Sequence, residues 1–296
     1  MKNMALSMIL PAVLAVEAPK QLPTFSSGVE VVRLDVSITQ DGVPVRGLTA
    51  SNFRVFDDGV RQKVELVGQD DTAIHAVLAL DTSLSVAGQK LADLKRAANL
   101  FVDALQPEDA LSLMTFSECL DLSIAASQDR KAAHTAIELA RTRKTTSLRD
   151  ACLASLIAAD PAQGRPLVLV FSDGRDVGSW KPRHIVIDQA RQAEVVVHAV
   201  VPSAEVSSGF IEELTDQTGG RIWYAIGEEQ LERAFLQALE EFRARYRLRY
   251  YPQEVKGGGW HKLKVTLRNA NGKVRARPGY LRRTLDELSN ISTVAR

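Results

Sequence analysis

Two uninterrupted apolar runs, Ala76–Leu80 and Pro166–Phe171, constrain most narrowly what this 296-residue chain can fold into. A strand with one wet face alternates apolar and polar side chains. A strand that is apolar at every position is covered on both faces, as parallel strands flanked by helices are. Between and after the two runs the spacing turns helical. Gly88–Leu105 carries Leu91, Leu94, Ala98, Phe101 and Leu105 on one stripe, and helices are likewise expected over Lys131–Arg141, Leu148–Ala159, His184–Gln192, Ser208–Thr218 and Glu229–Phe242. Strands are expected at Ala110–Phe116, Cys119–Ala125, Glu194–Val201 and Arg221–Ala225. Repeated crossovers of this kind predict an α/β, Rossmann-like unit over residues 70–242, with a doubly wound, mostly parallel sheet.

Both ends of the chain read differently. Glu30–Thr39 alternates polar and apolar residues, Asp41-Gly42 and Asp57-Asp58-Gly59 are turn signals, and short strand-like pieces follow at Phe53–Phe56 and Lys63–Val67. Past Glu229–Phe242 the alternation returns: Arg243, Arg245, Arg247 and Arg249 interleave with Ala244, Tyr246, Leu248 and Tyr250, and Lys262–Leu267 repeats the pattern. Neither end holds enough strands for a stable sheet pair alone. The two predict one small discontinuous β-sandwich, residues 29–69 and 243–283, into which the α/β unit is inserted. The arginine stripe is expected to be the solvated face of an edge strand, where charge discourages aggregation. Residues 284–296 are expected to form a polar tail.

Composition excludes several classes. Thirty-seven Lys and Arg stand against 36 Asp and Glu, which lacks the basic excess of a nucleic-acid binder. Cys119 and Cys152 are too few for a disulfide framework or a cysteine-based zinc cluster, and whether they pair is open. The first 18 residues read as an export leader: Lys2, an apolar run from Met4 to Val16, and small residues, with cleavage after Ala15 fitting Val13-x-Ala15. No later run approaches the roughly 20 apolar residues of a membrane span. The expected location is periplasmic or extracellular.

In an open α/β sheet, ligands bind at the carboxyl ends of the strands. Three loops there share one chemistry: Asp81-Thr82-Ser83-Leu84-Ser85 after the first buried strand, Lys144–Asp150 with Thr145, Thr146 and Ser147, and Ser172-Asp173-Gly174 after the second. Each alone also reads as helix capping or a turn. Together they supply two carboxylates and three hydroxyls with no His or Cys, an all-oxygen donor set suited to Mg²⁺ or Mn²⁺.

These residues resemble the von Willebrand factor A domain with its metal-ion-dependent adhesion site, over roughly Asp71 to Phe242. The resemblance implies that Ser83, Ser85 and Thr146 coordinate the ion by hydroxyl oxygen. It also implies that Asp81 and Asp173 bind directly or through water, and that a protein partner supplies an Asp or Glu carboxylate to the last position. The flanking segments, Gly47-Leu48-Thr49 to Phe53-x-Val55 and Arg275–Tyr280, resemble an exported bacterial branch of the family. Leu84 and Thr145 depart from the pattern, standing where the motif often has Gly.

The implied function is a non-enzymatic adhesion module, with two alternatives. One is a Mg²⁺-dependent hydrolase of phosphate esters, for which only Lys144 and Arg175 stand near the loops. The other is a structural domain with an unused site. Nucleophile elbows, zinc-protease motifs and phosphate loops are missing from the sequence. His75, His134, His184, His198 and His261 show no metal spacing and are expected to be structural or surface residues, and Asp150 and Asp176 to be charges near helix or loop ends.

Overall fold

The computed structural model describes residues 31–68, 72–202 and 209–282. The leader and the polar tail expected from the sequence lie outside the described residues. The first strands are β1 (Val32–Gln40), β2 (Val43–Pro44), β3 (Phe53–Asp57), β4 (Val60–Gln62) and β5 (Glu65–Gly68). The α/β part follows as β6 (Ile74–Asp81), α1 (Gln89–Ala104), β7 (Ala110–Phe116), β8 (Leu120–Ser127), α2 (Arg130–Leu139), α3 (Leu148–Ala158), β9 (Arg165–Phe171), α4 (Arg183–Gln192), β10 (Val196–Val201), α5 (Gly209–Gln217), β11 (Ile222–Tyr224) and α6 (Glu228–Arg243). Four more strands close the described chain: β12 (Tyr246–Tyr250), β13 (Gly259–Leu267), β14 (Lys273–Arg275) and β15 (Gly279–Arg282).

The central sheet runs β11-β10-β9-β6-β7-β8. All its pairings are parallel except β7 with β8, where the chain returns without a helix between. The two apolar runs are its middle strands, and every residue of β6 and β9 is buried. On one face α1 and α6 pack through Phe101, Phe235 and Phe242. On the other, α3, α4 and α5 pack through Leu148, Val186, Ile187 and Leu214. Strand order reverses between β6 and β9, so the crevice at their carboxyl ends is the topological switch point.

The end segments pair across the whole insertion. One antiparallel sheet runs β14-β1-β12-β5 with β2 beside β1, and the other β15-β13-β3-β4. Leu34, Val36, Ile38, Val55, Tyr246, Leu248 and Tyr250 are buried in one cluster between them. The fold is thus an α/β unit inserted into a discontinuous β-sandwich. Strand β12 carries the splice, lying between β1 from before the insertion and β5 at its entry.

Asp57 ties the two sheets together. It is fully buried and accepts hydrogen bonds from Tyr250 Oη at 2.8 Å and Tyr280 Oη at 2.9 Å, and His261 Nδ1 lies 3.3 Å away. The α/β unit meets the sandwich closely at Gly219, where a Cβ would sit 2.5 Å from the Arg277 amide nitrogen and φ is +72°.

The arginine stripe departs from expectation. Arg243 ends α6 and pairs with Asp109 at 2.6 Å, while Arg245 is completely buried, holding Glu241 and the Gly219 carbonyl. Only Arg247 and Arg249 lie on β12, and β12 is an interior strand of its sheet. The strand therefore starts three residues later than the sequence suggests, at Tyr246, because α6 runs on through Arg243 before the chain extends. Both cysteines are free thiols, Cys119 exposed and Cys152 buried.

Candidate metal centre

Asp81 is the last residue of β6, and Ser83–Ser85 turn away from the sheet into a short 3-10 segment, Leu84–Val86. The Asp81 Oδ1 accepts from the Ser83 amide at 2.8 Å, and the Ser83 and Ser85 hydroxyls lie 2.9 Å apart. Both hydroxyls therefore gather beside the carboxylate. Leu84, one of the two departures from the motif, points outward at 58% exposure and leaves that pair undisturbed.

Backbone hydrogen bonds join the three loops. The Arg143 amide donates to Thr82 O at 2.8 Å, and the Thr82 and Ser147 amides donate to the consecutive carbonyls of Phe116 and Ser117. The amides of Val177 and Gly178 both donate to Thr146 O. Thr146 is buried, and a Cβ on Gly178 would meet the Ser147 hydroxyl at 2.8 Å, which shows how closely the 172–178 loop packs on the Thr146 loop. All five expected residues thus lie at the carboxyl end of the sheet, on three mutually bonded loops.

The electrostatics favour a cation. Burial pushes the Asp81 carboxyl upward, hydrogen bonds from Ser83 and Ser172 draw it back, and nearby Asp173 repels its charge. Asp81 is 0% exposed, and among the described residues no Lys, Arg or His pairs with it. A buried carboxylate with only hydroxyl and amide donors is an uncompensated negative centre. The donor chemistry fits a hard divalent ion, which would be held by the two carboxylates and the Ser83, Ser85 and Thr146 hydroxyls.

Several supporting residues escaped the motif. Ser172 donates to Asp81 Oδ2 at 2.8 Å and accepts from the Gly174 amide, so it orients the carboxylate from the second buried strand. Its only sequence signal is its place between that strand and Asp173. Asp150 accepts from the amides of Trp180 and Lys181, and Asp176 from the Arg149 amide and Nε. These two carboxylates clasp the 172–181 loop to the start of α3, a more specific task than a charge near a loop end. Glu118 accepts from the Lys144 amide at 2.9 Å and holds the front of the Thr146 loop.

A second group, unmarked in the sequence, lies in the sandwich. One potential ligand atom from each of Asp57, Asp58 and His261 falls within 4.8 Å of the others. Its oxygens are largely engaged, since both tyrosines donate to Asp57 Oδ2 and the Lys262 amide donates to Asp58 Oδ1. The other buried histidines are structural: His75 bonds the Ser112 hydroxyl, and His198 faces Glu241 at 2.8 Å.

The architecture is an inserted α/β sheet with three oxygen-bearing loops at its switch point. Residues 76–175 match the von Willebrand factor type A domain family. A solved von Willebrand factor type A structure from Catenulispora acidiphila is similar over 88% of this chain and 76% of its own, with 11% identity and a TM-score of 0.52. Proximal thread matrix protein 1 of the mussel byssus, solved with a zinc-occupied MIDAS motif, is similar over 58% of this chain and 48% of its own, with 12% identity and a TM-score of 0.50. An aerotolerance-related membrane protein from Bacteroides fragilis covers 57% of this chain at 15% identity, with a TM-score of 0.48. At such identities the likeness is one of fold. No curated protein sequence matches the chain. No helix among the described residues is long and apolar enough to cross a membrane.

Proposed function

We propose that the chain is an exported binding module that recognises a protein partner through a divalent cation, Mg²⁺ or Mn²⁺, held by Asp81, Ser83, Ser85, Thr146 and Asp173. The observation that carries the reading is the buried Asp81 carboxylate, compensated by no cationic side chain among the described residues and flanked by Asp173 and paired hydroxyls. A bound cation would supply Lewis acidity toward an incoming carboxylate. Because three of the five ligands are neutral hydroxyls, charge remains for a sixth, anionic ligand from outside. Around that position the chain's own residues set the geometry: Ser172 fixes Asp81, and the bonds from Val177 and Gly178 to Thr146 fix the loop spacing. Export is supported by the leader pattern of the first 18 residues.

The test is titration of Mg²⁺ and Mn²⁺ into chelator-treated protein, followed by calorimetry and melting temperature. Saturable binding with a rise in Tm is expected, lost in Ser83→Ala with the apo fold intact. Capture on immobilised Asp- and Glu-containing peptides, against their amide counterparts and reversed by chelator, tests the carboxylate. Absence of metal binding, or capture that survives chelation and Ser83→Ala, overturns the proposal.

A further inference from the structure

One large cavity lies away from the proposed metal face. A cleft of about 780 Å³ lies at the opposite end, between strands β1 and β12 of the sandwich and the amino ends of β9 and β10. Its volume falls in the range of small-molecule sites. Five guanidinium groups line it, from Arg33, Arg165, Arg247, Arg249 and Arg277, with two carboxylates among the described residues, Asp35 and Glu194.

The pairing leaves positive charge over. Asp35 is engaged by Arg165, whose Nε donates at 2.6 Å, and Glu194 lies 3.5 Å from Arg33. Arg249 pairs outward with Glu65 at 2.8 Å. Arg247 donates to the Thr72 hydroxyl at 2.6 Å and stands opposite Asp35 in the strand register, and Arg277 donates to the carbonyls of Gly279 and Arg191 within reach of the Glu194 and Asp35 charges, so among the described residues neither has a carboxylate hydrogen-bonded to it alone. The register adds to the repulsion, because Arg33 and Arg249 stand directly opposite each other on β1 and β12. Like charges in facing positions destabilise a sheet unless something neutralises them, and here Glu194 and Glu65 draw the two guanidiniums apart at the rim. Burial lowers the Arg165 guanidinium against the opposing pull of Asp35, and the neighbouring Arg245 and Arg247 add to the lowering.

A low-dielectric cleft lined with one sign of charge concentrates counter-ions, and arginine presents planar paired donors suited to phosphoryl oxygens. Tyr251, Val67 and Pro161 add apolar wall to the same cavity, more than a bare ion would use. From this juxtaposition we propose that the cleft between the sandwich and the α/β unit binds a small phosphate ester, its phosphoryl group held by Arg247 and Arg277 with Arg33 at the rim. The site is independent of the metal face, since its residues sit at the amino ends of the strands.

The experiment uses the full chain, with inorganic phosphate and a sugar monophosphate at low millimolar concentration, each against potassium chloride at matched ionic strength. Melting temperature and calorimetry are read for wild type, Arg247→Gln, Arg33→Gln and, as a control on the metal face, Arg175→Gln. Saturable protection by both probes is expected, the ester acting at lower concentration. Arg247→Gln should weaken binding at least tenfold, Arg33→Gln by less, and Arg175→Gln not at all. General salting-out by phosphate would raise every variant equally. Equal protection in wild type and Arg247→Gln, or none in wild type, overturns the proposal, and an ester no better than inorganic phosphate refutes the part played by the apolar wall. Chelator is present throughout, so the result does not depend on the metal site.

Discussion

Replacing Asp57 by Ala removes the acceptor on which both sheets of the sandwich converge. Two tyrosine hydroxyls lose it, Tyr250 being 1% exposed and Tyr280 6%, so water reaches neither easily. A buried donor left unsatisfied costs about 1–3 kcal/mol. Two such donors bring the expected loss to about 4 kcal/mol, in the range that marks a broken buried network. His261 keeps Asp58 at 3.0 Å and adds little to the loss. Tyr250→Phe is the calibrating variant: it removes one donor and leaves Asp57 bonded to Tyr280, for about 1–2 kcal/mol. The Tyr250 hydroxyl is held as a donor, because burial and the Asp57 carboxylate both push its titration up. Equilibrium urea unfolding, followed by fluorescence, measures both. Trp260 lies on β13 in the sandwich, while Trp180 and Trp223 lie in the α/β part, so single-tryptophan backgrounds separate the two transitions. If Asp57→Ala costs less than about 1 kcal/mol, or no more than Tyr250→Phe, the convergence of the two sheets on one carboxylate is not what stabilises them.

Four other outcomes follow from the same geometry. Asp173→Ala should abolish the Mg²⁺-dependent rise in Tm and leave metal-free stability unchanged or slightly raised, since it removes a charge that repels Asp81; differential scanning calorimetry with and without chelator reads both. Stability should fall as pH drops from 7 toward 4. Burial lowers His198 from its ordinary 6.5 despite Glu241 beside it, so the unfolded chain takes up that proton first. Burial would raise Glu241, but Arg245 and His198 outweigh it and hold the carboxyl well below its ordinary 4.5, so its contribution too is lost with acid. The double variant His198→Gln with Glu241→Gln should show a flatter urea-midpoint profile over that window, and an unchanged slope would count against it. Gly219→Ala should cost about 2 kcal/mol or more in urea unfolding, from a left-handed backbone and a Cβ driven against Arg277. We also propose that residues 70–242 fold as a unit. Deleting 243–283 should leave Asp81, Thr146 and their loops protease-resistant while residues 31–67 are digested, and a resistant N-terminal segment would refute the shared sandwich.

The sequence by itself determined the class of fold and which oxygen donors stand at the carboxyl end of its sheet. Both are written in local signals: two runs apolar at every position can only be doubly covered strands, and the residue directly after such a strand must stand at its carboxyl end. Asp81 and Asp173 were legible for that reason, and Ser83 and Ser85 through their alternation beside Asp81. Tertiary structure decided what depends on partners far apart in the chain. The role of Ser172 appeared only when β6 and β9 became neighbours, and Asp57 became a tie only when β12, β13 and β15 came to lie beside β3. The arginine stripe is the sharpest case. Its alternation suggested one solvated edge, but the end of α6 takes Arg243, a buried ion pair with Glu241 takes Arg245, and only Arg247 and Arg249 remain on a strand that the returning chain places between β1 and β5. Period marks which residues share a face, whereas what covers that face is fixed by strand order, which no local pattern encodes.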